Sequence, residues 1–202
     1  MPFSASEPIP RKEKITVSYM VQKLRERVQL NLTACTSGDC AQYRYVYEVD
    51  LHRPGMALAG YTDLFTYKRI QIIGNTETQF LDNLSPTEQT NAFKNITAFD
   101  LPVIFLTDGN KLADNLIKLA EEASIPIYTT PVETTRFMYL LRDFLEDQFA
   151  TQTMVHGAMV DVYGIGILIA GKSGIGKSEV ALDLIERDHR LVADDVVMLT
   201  KK

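Results

Sequence analysis

The sequence is short of the features that mark several large protein classes. It has only two cysteines in 202 residues, Cys35 and Cys40. With no second pair of ligands near them they make a poor zinc site. A disulfide between them is geometrically possible, but they are read as reduced thiols beside a turn, as suits a cytoplasmic protein. Prolines (8) and glycines (11) are also few, and with 46% apolar and 23% charged residues the chain suits one or two globular domains with a real core. No apolar run approaches the ~18 residues that a membrane span requires. The opening stretch from Met1 to Lys14 is polar and dotted with proline, unlike a secretory signal. No membrane partner is expected, and the cytoplasm is the expected location. There is no basic block and no run interleaving basic with aromatic residues, and the formal charge is −5 with a pI near 5.3, so nucleic acid is not an expected partner. No internal repeat or low-complexity segment is present.

What the sequence does contain is Gly171-Lys172-Ser173-Gly174-Ile175-Gly176-Lys177-Ser178. It fits the phosphate-cradling pattern G-x-x-x-x-G-K-[ST] at every fixed position, a match that chance gives on the order of one chain in a hundred this long. Its three glycines let the backbone bend so that successive N–H groups face phosphate oxygens, and the helix that follows adds its unsatisfied amides and positive dipole end. Lys177 can reach the outer phosphates as a mobile point charge, and the Ser178 hydroxyl can ligate a magnesium ion that bridges them. The flanks agree. Ile167-Leu168-Ile169-Ala170 reads as a buried strand entering the loop, and Val180, Ala181, Leu184 and Ile185 give the exit helix one apolar face.

Upstream, the apolar spacing Val17, Met20, Val21, Leu24, Val28 predicts a helix over 16–28. Tyr43 to Val49 alternates as a strand does, and its tyrosines are read as core packing rather than a base-stacking platform. Ile70–Ile73 is a strand closed by Gly74, with a helix expected over 76–84. Ser85-Pro86-Thr87-Glu88 is a capping box that starts a helix to about Ala98. Val103–Leu106 is a strand closed by Asp108-Gly109, then a helix over 111–123 and a strand over Ile125–Tyr128 follow. Alternating strands and helices imply a parallel sheet covered by helices, an α/β domain. A second capping box, Thr130-Pro131-Val132-Glu133, is expected to start a long connector helix through Phe149. The expected domains are 1–150 and 151–202.

Beyond that boundary, Tyr163-Gly164-Ile165-Gly166 can close a tight hairpin. If Tyr163 faces Gly166, Ala158 falls opposite Gly171 and His156 lies level with the first turn of the loop. A histidine there has a useful pKa, although a histidine at a strand start is also an ordinary surface or core residue. Arg190-Leu191-Val192-Ala193 is a strand parallel to 167–170, so Asp194 and Asp195 emerge on the sheet edge where phosphates bind. On a regular strand the two carboxylates point to opposite faces and take different tasks, ordering a magnesium shell or accepting the proton of an incoming hydroxyl. The plainer alternative is a solvated acidic turn.

These residues carry a resemblance. Val155-His156-Gly157-Ala158-Met159-Val160-Asp161-Val162-Tyr163-Gly164, Gly171 to Glu179, and His189-Arg190-Leu191-Val192-Ala193-Asp194-Asp195-Val196 resemble HPr kinase/phosphorylase, as do Arg53 to Gly60 and Arg69 to Gly74 upstream. The resemblance implies a bacterial serine kinase that uses ATP and magnesium to phosphorylate the phosphocarrier HPr in carbon catabolite control. It also implies the reverse reaction, in which inorganic phosphate attacks phosphoserine and pyrophosphate leaves. It places His156, Lys177 and Asp195 on catalytic positions, Gly171 to Ser178 on the nucleotide loop and Ser178 on a magnesium ligand, with Asp195 taking and returning the serine proton. A hexamer is the assembly it implies. Only about fifty residues follow the expected boundary, against ~100 or more for a P-loop domain of ordinary size. The kinase half is therefore expected to be incomplete, as a piece of a longer chain or as a shortened homologue. Two other functions fit the residues: a non-catalytic nucleotide-responsive or assembly module, and a P-loop kinase of small metabolites.

Overall fold

The structure is a computed structural model that describes residues 8–9, 12–37 and 40–201. Gly38 and Asp39, between the two cysteines, lie outside the described residues; Cys35 and Cys40 are both free thiols. The chain divides into two compact units, Glu13–Phe149, and Ala150–Lys202 joined by Met1–Lys12. Strand β1 (Pro8–Ile9) therefore belongs with the later unit.

In the first unit the order is β2 (Ile15–Thr16), α1 (Val17–Arg27), β3 (Thr33–Ala34), β4 (Tyr45–Val46), β5 (Leu51–His52), α2 (Gly55–Leu58), β6 (Ile70–Ile73), α3 (Asn75–Asp82), α4 (Pro86–Thr97), β7 (Ile104–Leu106), α5 (Asp114–Glu122), β8 (Ile127–Thr129) and α6 (Thr134–Phe149). Strands β5, β6, β7 and β8 are mutually parallel and β3 runs antiparallel beside β8, giving the order β3-β8-β7-β6-β5. Successive strand residues point to opposite faces, and each face has its own core. Ile70, Ile72 and Phe105 pack with Met20 and Leu24 of α1 and Phe137 and Leu141 of α6. Ile73, Ile104, Leu106 and Ile127 pack with Phe93 and Ile96 of α4 and Leu116 of α5. Helices on both faces explain why all four residues of β6 are buried.

Three local expectations are corrected. The helix after Asp108-Gly109 starts at Asp114, not Lys111, because the Asn110 side chain holds the Thr107 carbonyl and the Asn75 side chain in a loop. The long helix starts at Thr134, not after Thr130. Glu133 accepts the amides of Thr135 and Arg136, both at 2.9 Å, and Asp108 Oδ2 accepts the Thr134 amide at 3.2 Å and the Thr134 hydroxyl at 2.6 Å. Of the stretch 43–49 only Tyr45–Val46 is strand, and the tyrosines are not core. Val46 takes the buried position, whereas Tyr43 is 77% and Tyr47 54% exposed.

The later unit is built on one long strand, β9 (Thr151–Val162), followed by β10 (Ile165–Ala170), α7 (Lys177–Glu186), β11 (Arg190–Ala193) and β12 (Val196–Lys201). All three later strands pair antiparallel with β9. Because β10 and β11 both face Val160, they occupy opposite edges of β9 and run parallel to each other with β9 between. The hairpin register is corrected by two residues. Val162 faces Ile165, so the turn is Tyr163-Gly164 and Ala158 faces Ile169, not Gly171. Tyr163 (φ 52°) and Gly164 (φ 84°) both have positive φ, the two-residue turn whose twist suits a hairpin, and Asp161 Oδ1 accepts the Gly164 amide at 2.7 Å.

Candidate functional site

The loop leaves β10 at Gly171 and ends where α7 begins at Lys177. Two of its glycines, Gly174 (φ 77°) and Gly176 (φ 94°), sit in the left-handed region that side-chain-bearing residues avoid. Gly171 serves by its size, since a Cβ there would lie 3.2 Å from Ile175 Cγ2. Gly176 precedes the helix without a side-chain cap, so the first amides of α7 are left for a ligand. Lys177 lies in the first turn, and its Nζ donates to the Lys172 carbonyl at 3.0 Å, which folds the ammonium back across the loop.

A cavity of about 720 Å³ opens over this loop. Lys172, Ser173, Gly174, Gly176, Lys177 and Ser178 line it from one side, with Gly171 at its base. His156 and Gly157 enter from β9, and Asp194 and Asp195 from the turn between β11 and β12. The residues singled out from the sequence thus meet in one cavity, except Ile175, which is 68% exposed and does not line it. His156 gets there because it faces Val196 across the β9–β12 pair, directly after the two aspartates. The Gly157 amide donates to the Asp195 carbonyl at 3.1 Å, which ties the histidine's neighbour to the carboxylate turn.

Gly157 and Glu179 are among the lining residues that escaped sequence reasoning. Gly157 has no room for a side chain: a Cβ there would clash with the Ile169 carbonyl oxygen. Nothing in a strand pattern announces that closeness, although an isolated glycine in a strand is the general sign of it. Glu179 follows Ser178 in the first turn of α7, and its Oε2 lies 2.9 Å from where a Cβ on Gly176 would be. A carboxylate is favoured at a helix N-terminus by the dipole, so its position alone hid its nearness to the loop.

The arrangement sets two lysines and free helix amides against three carboxylates, Glu179, Asp194 and Asp195. Amides and ammonium groups suit a polyphosphate, and a hydroxyl beside carboxylates suits a hard divalent cation that keeps several waters. Ser178, Asp194 and Asp195 are oxygen donors of that kind, so the residues fit magnesium. Among the described residues no group of three or more His, Cys, Asp or Glu side chains forms a metal cage by itself. Among the described residues no helix is long and apolar enough to cross a membrane.

The family model described as HPr Serine kinase N terminus matches residues 15–145, and that described as HPr Serine kinase C-terminal domain matches residues 147–202. Among curated relatives, a protein named HPr kinase/phosphorylase from Chloroherpeton thalassium is 54% identical over 192 residues, covering 95% of this chain and 56% of that protein. One of the same name from Chlorobium luteolum is 51% identical over 192 residues, covering 95% and 58%. The chain thus spans less than two thirds of the length of these relatives. A solved structure, the CBS and DRTGG domains of the regulatory region of Clostridium perfringens pyrophosphatase complexed with activator, diadenosine tetraphosphate, aligns at 14% identity. It covers 64% of this chain and 47% of that one, with a TM-score of 0.44, too slight a likeness to define a fold.

Proposed function

The chain belongs to the HPr serine kinase family, and from that premise we propose that its P-loop unit serves phosphoryl transfer between ATP and a serine of HPr. In the forward direction the seryl oxygen attacks the γ-phosphorus of ATP, the bond to the β,γ-bridging oxygen breaks, ADP leaves and the seryl proton passes to Asp195. In the reverse direction an oxygen of inorganic phosphate attacks the phosphorus of phosphoserine, pyrophosphate forms and Asp195 returns a proton to the serine. One carboxylate serves both directions by microscopic reversibility.

Each residue has a task that its position supports. The amides of the loop from Gly171 to Ser178 cradle the phosphates, with Lys172, Ser173, Gly174 and Gly176 contributing backbone and Ile175 carrying the chain between them outside the cavity. Lys177 leaves the Lys172 carbonyl to neutralise charge on the transferring group. His156, held on β9 beside the aspartates, hydrogen-bonds the phosphoryl oxygens or the acceptor. Magnesium, held by Ser178 and ordered by the acidic turn, neutralises phosphate charge when bound. The reading extends to a cytoplasmic protein, to a homo-oligomer of the hexameric kind and to control of carbon metabolism through HPr.

The observation that carries the reading is the convergence of the loop, His156 and Asp195 on one cavity. Mixing the purified chain with ATP, magnesium and HPr, and following phosphoserine on HPr, tests it. We expect transfer, and we expect Asp195→Asn to bind ATP within about threefold of the parent while transfer falls at least ~100-fold, the scale of general-base catalysis. Nucleotide binding without transfer in the parent chain would leave it a nucleotide-responsive module. Turnover of a small hydroxyl compound in place of HPr would make it a metabolite kinase.

A further inference from the structure

The two aspartates do not continue the strand that precedes them. β11 and β12 lie along the same edge of β9, with Ala193 opposite Met159 and Val196 opposite His156; the register shifts between Leu191 and Ala193, and Asp194-Asp195 belong to neither strand. Asp195 has a φ of 62°, a left-handed conformation that few residues with a side chain adopt. The Val196 amide donates to the Asp194 carbonyl at 2.7 Å, so Asp195 is the central residue of a three-residue γ-turn in its rarer, positive-φ form. Such strain persists only where the surroundings enforce it. Here the Asp195 carbonyl is taken by the Gly157 amide at 3.1 Å, and the Asp195 amide by Asp194 Oδ1 at 2.9 Å.

We propose that Asp194 is a positioning residue: its carboxylate oxygen holds the Asp195 amide and so fixes the direction in which the Asp195 carboxylate enters the cavity beside His156. The proposal rests on the reading of Asp195 as the proton-transferring group. It divides the labour between adjacent carboxylates by the bonds each makes. Asp194 Oδ1 is turned onto backbone, whereas Asp195 makes its bonds through backbone and leaves its side chain to the site. What Asp194 supplies to Asp195 is an oxygen at a place.

The test compares Asp194→Asn, which keeps a side-chain oxygen, with Asp194→Ala, which does not. In the whole chain without nucleotide, amide hydrogen exchange at Asp195 is read by NMR, with the β9–β10 amides as the control for folding. We expect protection at Asp195 in the parent and in Asp194→Asn, and exchange about 10-fold faster or more in Asp194→Ala, the scale of one charge-assisted hydrogen bond. In transfer to HPr, both variants should fall below the parent, and kcat of Asp194→Ala should lie ~10-fold or more below that of Asp194→Asn. Equal exchange at Asp195 in all three proteins overturns the proposal. So does an Asn variant as inactive as the Ala variant with protection intact, since the charge would then be what matters. A parent chain with no transfer removes the kinase reading alone, and the exchange measurement still decides the role of Asp194.

Discussion

Gly157 and Gly166 lie on paired strands of one hairpin, and the same substitution at each should have unequal consequences. A Cβ on Gly157 would clash with the Ile169 carbonyl oxygen and lie 3.2 Å from the Ile169 carbonyl carbon and 3.3 Å from Ala170 Cα. All three are backbone atoms of the strand that feeds the phosphate loop, so relief requires β9 and β10 to separate where Ala170 passes into Gly171. Overpacking of that kind costs about 1–3 kcal/mol, and the value belongs at the upper end because no side chain can rotate away. A Cβ on Gly166 would lie 2.5 Å from Met159 Cε, the end of an unbranched side chain that can move, at a cost below about 1 kcal/mol. Urea denaturation read by far-ultraviolet circular dichroism measures both. Gly157→Ala should lower the midpoint markedly and Gly166→Ala slightly, and only Gly157→Ala should weaken ATP binding, because it alone shifts the base of the loop. Equal losses of stability, or unaltered ATP affinity in Gly157→Ala, would refute the reasoning.

Lys177→Ala should weaken ATP binding about 10- to 100-fold, as expected for removing a charged hydrogen bond of about 1.5–3 kcal/mol, and abolish transfer in both directions; equilibrium dialysis with unchanged affinity would deny it that role. His52, on β5, is held below its ordinary pKa of 6.5 by burial and then by the nearby Arg69 guanidinium. The folded state therefore binds this proton less readily than the unfolded chain, so the contribution is fully present above pH 6.5 and is lost as pH falls below it. The urea midpoint of the first unit should drop as pH is lowered from 7 through this window, with a shallower drop in His52→Gln; identical slopes would show that other groups set the dependence.

Features written in local chemistry were legible before the structure. The phosphate loop is fixed by glycines and a Lys-Ser pair at set spacing, and Ser85 caps α4 with Glu88 as its reciprocal partner, the Ser85 amide donating to Glu88 Oε2 at 2.9 Å. Features decided by distant partners were not. Thr130 has the same local pattern as Ser85, yet Asp108, 26 residues from Thr134, claims the first amide of the helix and moves its start. The alternation of Tyr43, Tyr45 and Tyr47 announces that they share a face, but only the packing of Val46 against Ile15 and its neighbours shows that this face is the outer one. Gly164 fits either position of a two-residue turn, and the Asp161 side chain selects one. The γ-turn at Asp195 left no mark in the sequence at all.

The twelve-residue strand β9 borders both the strand that launches the loop and the strand that launches the acidic turn. It works as a ruler between the two halves of the site. Adding or deleting one residue between His156 and Val160 would rotate the histidine to the reverse side of the sheet, because side chains alternate. At the far end, beyond Val162 and Ile165, Tyr163 is 92% exposed, and extra residues spliced there would leave the ruler unread. That tip is the place to graft a fluorophore or an affinity tag.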